Sequence, residues 1–171
     1  GGYYVETARF WYQYQCLPGN TKIGLITIRP DLYGPFNVSG TPIQQISIDA
    51  DCRTHISSVI VDDCTSLTSL DLSRFDTSSV INMRWMFEGC SKLISLDLSS
   101  FDTSNVAELS EMFRGCSKLS TIYVSNKWSI ARIASSYKMF TGCINLPNYK
   151  SYKTKKNNAH YGKGGYLTLK R

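Results

Sequence analysis

Acid is missing from the last third of this 171-residue chain. Residues 1–111 hold 7 Lys/Arg and all 13 Asp/Glu, a net −6, whereas residues 112–171 hold 12 Lys/Arg and no acid, a net +12. Histidine is scarce as well: His55 and His160 stand alone, and neither lies in a cluster of metal-ligating residues. Among the 6 cysteines no Cys-x-x-Cys pair occurs, which removes the usual zinc spacing. A Gly-x-Ser-x-Gly elbow and a glycine-rich phosphate loop are absent too, so nothing in the sequence brings a nucleophile, a base and an orienting group together. We therefore expect no enzyme, no cofactor and no metal. No apolar run approaches the roughly 18 residues of a membrane span. The length fits one domain.

What is present is a repeat. From Cys64 the chain reads CTSLTSLDLSRFDTSSVINMRWMFEG, then CSKLISLDLSSFDTSNVAELSEMFRG, then CSKLSTIYVSNKWSIARIASSYKMFTG, ending at Cys143. Two units of 26 residues and one of 27 mark a stack in which each unit buries its apolar side chains against its neighbours. Leu93, Leu96, Leu98 and Phe101 predict a short strand, alternating at Leu96 and Leu98. Val106, Leu109, Met112 and Phe113 then step by three, three and one, which predicts one face of a short helix. Asp102 to Asn105 supply N-cap residue types and Gly115 a C-cap glycine. In the third unit Ser136 replaces the apolar Met83 and Leu109, and Tyr137 is expected to fill the gap. An older unit shows upstream, where Ile43, Ile46 and Ile48 match Leu67, Leu70 and Leu72 at a spacing of 24.

The segments LTSLDLSRFDTSSVINMRWMFEGC and LISLDLSSFDTSNVAELSEMFRGC resemble the BspA-like leucine-rich repeats of bacteria. The ending MFTGCINLPNYK with NAHYGKGGYLTL is similar to the close of such arrays. The resemblance, joined to the spacing above, implies an α/β repeat solenoid over residues 43–143. Short strands would form a parallel sheet on one face and short helices the other. It further implies an extracellular or surface-displayed bacterial protein, seen here in a mature or trimmed form because no signal peptide opens at Gly1. Adhesion to a host matrix or cell-surface protein is the function it suggests, with polyanion binding by the basic C-terminal third or a ligand-free spacer segment as the alternatives.

Residues 1–42 lie outside the repeat. Phe10 to Cys16 and Lys22 to Ile28 flank a Leu-Pro-Gly-Asn turn and predict a β-hairpin cap over the open end, with a sugar-stacking platform as the competing reading. Residues 144–171 form a basic C-terminal cap. There Lys150, Lys153, Lys155, Lys156 and Lys163 interleave with Tyr149, Tyr152 and Tyr161, a composition that also suits a sulfated or phosphorylated glycan and, less well, nucleic acid.

Two further surfaces stand out. Asp71, Asp97 and Tyr123 share a column between the buried strand leucines, and the two aspartates are expected to be like-charged neighbours. They make either a cation or partner site or a solubilising face. Arg84 and Trp85 differ from their counterparts Ser110 and Glu111, or Tyr137 and Lys138. An exposed tryptophan beside arginine has the composition of an interface hot spot, unless it packs on the next coil. Cys64, Cys90, Cys116 and Cys143 occupy one repeat position, which favours a column of buried thiols over disulfides within reach.

Overall fold

The computed structural model describes strand backbone ahead of Ile60, and residues 39–40, 60–149, 159–161 and 163–171 in full. Its strands are β1 (Gly2–Thr7), β2 (Phe10–Gln15), β3 (Gly24–Ile28), β4 (Leu32–Asn37), β5 (Ile43–Ile48), β6 (Thr54–Ile60), β7 (Ser69–Leu70), β8 (Phe75–Asp76), β9 (Ser95–Leu98), β10 (Thr121–Val124) and β11 (Thr168–Leu169). β2 pairs antiparallel with both β1 and β3. From β3 onward every pairing is parallel, in the orders β3-β5-β7, β4-β6-β8 and β9-β10-β11. Ile46 pairs with Leu70, so the spacing of 24 read from the isoleucines is the register of β5 on β7.

The structure corrects the expected α/β solenoid: among the described residues there is no helix, and the parallel sheet is small and divided. β7 and β9 belong to different sheets, so no continuous strand face runs up the stack. Where a helical face was predicted, the chain makes tight turns. Met86, Glu88 and Cys90 donate to the carbonyls three residues back. The odd-numbered residues from 83 to 89 donate instead to the next unit: Met83 to Glu108, Trp85 to Ser110, Phe87 to Met112 and Gly89 to Arg114, at 2.8–3.2 Å. The second unit repeats this from Leu109, Glu111, Phe113 and Gly115. A helix would need those N–H groups within its own turn, and a segment this short is a marginal helix in any case. Bonds between units win.

The supposed N-cap residues serve the same stacking. Asp76 and Asp102 accept the N–H of Ser78 and Ser104, which closes Asx turns. The Thr103 hydroxyl donates to the Ser129 carbonyl at 2.8 Å and accepts its N–H at 2.7 Å, and Thr77 does likewise with Asp102. Each threonine thereby clips one unit to the next.

Inside the stack, Phe87, Phe113 and Phe140 lie one above another with centroids 5.7 and 5.5 Å apart and nearly parallel rings. Tyr166 ends this ladder, its ring edge-on to Phe140 at 5.1 Å. The four repeat cysteines, Cys64, Cys90, Cys116 and Cys143, are buried thiols, with the Sγ–H of Cys90, Cys116 and Cys143 donating to the carbonyls of Val61, Phe87 and Phe113. At the closing end the Trp128 indole donates to Ala159, and Lys170 N–H donates to Val124. Tyr137 does not fill the gap left by Ser136. It is 61% exposed, and its N–H donates to the Ser110 hydroxyl.

Candidate functional site

The turns that replace the helices dictate an unusual backbone at one repeat position. Trp85, Glu111 and Lys138 have φ of 59°, 58° and 52°, the left-handed region that disfavours any residue with a Cβ. Each such residue costs about 1–2 kcal/mol. In each unit the Met and Phe that follow this residue are buried, and the N–H groups of Trp85 and Glu111 themselves meet the carbonyls of Ser110 and Tyr137 in the next unit.

At the first of these positions the Trp85 ring is 43% exposed, and the Arg84 guanidinium lies 4.1 Å from its centroid. Arg84 also reaches Glu111 in the next unit at 3.6 Å. Glu111, nearly buried, meets Arg114 at 2.8 Å, and Arg114 bridges back to Glu88 at 3.0 Å. Burial holds the Glu88 carboxyl above the usual range, and neighbouring acids add to this against the pull of Arg114. One unit further on the motif recurs in aromatic form, with the Lys138 ammonium 5.0 Å from the exposed Tyr137 ring. Two cation-covered aromatics thus flank a buried-edge ion network on one face. Their separation of two units is about 10 Å at the usual strand spacing.

Sequence reasoning placed Arg84 and Trp85 here but missed Glu88, Glu111 and Arg114. The signal existed: Glu88 and Arg114 occupy one repeat position with opposite charge, so stacking alone brings them together.

The sheet-face candidates fare differently. Asp97 and Tyr123 are register partners on β9 and β10, and Tyr123 pairs onward with Thr168. Asp71 lies just past the end of β7, outside any strand, where it accepts the Ser73 N–H, so it is no ladder partner of Asp97. Asp97 carries an opposite-charge contact, the bridge from Lys170. Burial raises the Asp97 carboxyl, but hydrogen bonds from Lys170 and Ser99 outweigh it and hold the group below its ordinary value. A carboxylate so occupied is not a vacant cation site.

Of the basic candidates, Lys163 is exposed, while Lys150, Lys153, Lys155 and Lys156 lie outside the described residues. A shallow groove of about 360 Å³ opens between Ser79, Ile81, Asn105, Ala107 and Arg132. Its one ionisable side chain, Arg132, donates to Asn105 at 3.2 Å, so the groove offers recognition chemistry and no acid–base pair.

No curated protein and no solved structure matches the chain. A family described as Mycoplasma protein of unknown function, DUF285, matches residues 54–162, from β6 through the repeat to the start of the closing segment. That is more than half of the sequence, and the chain belongs to this family.

Proposed function

We propose that the chain is a non-enzymatic protein-binding module of a surface-displayed or secreted protein, and that it engages its partner through the turn face around Trp85. One observation carries the reading: a large aromatic stands exposed at a position whose backbone favours glycine, with an arginine laid over it. Trp and Arg dominate the energetics of protein interfaces. Glu111 and Arg114 hold Arg84 in place beneath the contact. Resemblance to BspA-like repeats supports adhesion as the setting, with a host matrix or cell-surface protein as partner.

The test is a binding panel of immobilised matrix proteins at low and at physiological salt. Contact dominated by Trp85 and Tyr137 survives the added salt, because apolar burial is screened little. Trp85→Gly should abolish it while the fold stays intact, since glycine suits that φ. Binding that disappears as salt rises and ignores Trp85→Gly would instead assign capture of a polyanion by the basic third.

A further inference from the structure

The groove of about 360 Å³ is a product of the stacking. Ser79, Asn105 and Arg132 occupy one repeat position in three successive units, and Ile81 and Ala107 occupy another, two residues further on. Val80, Val106 and Ile133 are buried between them, so the two columns stand outside the core as two walls. Ala107 N–H donates to the Ile81 carbonyl at 2.9 Å, which sets one unit on the next along the second wall. That column shrinks there from isoleucine to alanine, which leaves room above Ala107.

The walls differ in chemistry. Ile81, 63% exposed, and the half-buried Ala107 are aliphatic. Facing them are a hydroxyl, an amide and, at one end only, the exposed guanidinium of Arg132. Arg132 donates to the Asn105 Oδ1 at 3.2 Å, and the Asn105 Nδ2 donates to the Ser78 carbonyl at 2.9 Å, so the arginine is tethered to the first unit of the groove. Arg84 and Arg114 are paired with Glu111 and Glu88, whereas among the described residues no carboxylate pairs with Arg132.

We propose that this groove binds the free carboxy-terminal end of a partner polypeptide whose last residue is aliphatic. A guanidinium offers a planar fork of N–H donors that matches a carboxylate, and the Arg132 fork has no counter-ion in its way. The last side chain lies on Ile81 and Ala107, while Ser79 and Asn105 meet the peptide group that precedes it. The occupant must therefore be apolar along one edge and hydrogen-bonding along the other. A simple aliphatic acid would leave the polar wall unpaired, and a sugar acid would press hydroxyls against Ile81; either is costly. The volume lies near the lower end of the roughly 300–1,000 Å³ of ligand sites, which is room for a chain end and not for a folded surface.

Nuclear magnetic resonance titration of the full chain tests this, with acetylated glycyl-glycyl-valine bearing a free carboxylate as the probe. The Ala107 amide and the Arg132 side-chain N–H signals should shift and saturate. Amidating the carboxylate, or Arg132→Gln in the protein, should weaken binding at least about tenfold. Ala107→Leu fills the groove from its half-buried wall and should abolish binding while signals remote from the groove stay those of the parent. Trp85→Gly should leave the affinity unchanged, which separates this site from the Trp85 face. No shift with the free peptide, equal affinity for the amidated one, or undiminished affinity in Ala107→Leu would each overturn the proposal. Hexanoate or glucuronate binding as tightly as the peptide would overturn it too, by assigning the groove to a small acid.

Discussion

Positive φ divides the residues of the turn face into those that suit their place and those held there against preference. Gly115 has φ +76°, and an added Cβ would lie 3.6 Å from Gly89, so space permits alanine while the backbone opposes it. Gly115→Ala should therefore cost about 1–2 kcal/mol in urea denaturation. Trp85→Gly removes the same strain along with some packing, and should fall within about 1 kcal/mol of the parent. A large loss there would mean that Trp85 is a structural side chain. Asp97 supplies a pH effect of known sign. Its folded pKa lies below its unfolded one, so the stabilisation is complete above about pH 4 and is lost as pH falls through the folded value. The Lys170 amide, which bonds Val124, should lose exchange protection on that descent, and Asp97→Asn should remove the pH dependence. An identical acid profile in the variant would place the transition elsewhere.

At the scale of the element, the unit is legible in the sequence and its second half is misread. The spacing of 26 fixes which residues stack, and Leu93, Leu96, Leu98 and Phe101 are buried as their alternation implies. The segment from Val106 to Phe113 defeats the same logic because an apolar step of three fits a succession of tight turns as well as a helix. Val106, Leu109, Met112 and Phe113 are all buried, yet the hydrogen bonds run between units. Side-chain periodicity reports burial, and it is silent on where backbone donors go. The recurrent Asp-Thr-Ser was open to the same ambiguity, since helix caps and Asx turns use one chemistry. Burial itself has two measurable consequences. Phe113 is stacked on both sides, and Phe113→Ala should cost about 3–5 kcal/mol, read from the urea midpoint. Burial also pushes the Cys143 thiol up to about 12 and the Cys90 and Cys116 thiols upward as well. These three thiols should resist a disulfide-exchange reagent at pH 8 in the native protein and react together on unfolding. Rapid labelling of Cys90, Cys116 or Cys143 in the folded chain, located by peptide mapping, would contradict a closed cysteine column.

Across the whole molecule, charge and stacking run in the same direction. Net charge changes from −6 over residues 1–111 to +12 beyond them, and the turns of the first two units give alternate N–H groups to the next unit. The candidate face was only partly readable for that reason: Arg84 and Trp85 announce themselves by type, while Lys170 reaches Asp97 from 73 residues away, a contact no repeat position predicts. A stack whose bonds lie along its axis also has a mechanical character. Force applied through its two ends is carried by the junctions in series, so the weakest interface parts first and the remaining coils keep their shape. Such a chain lengthens stepwise under tension, releasing one repeat at a time in the manner of a spring that yields before its anchor does.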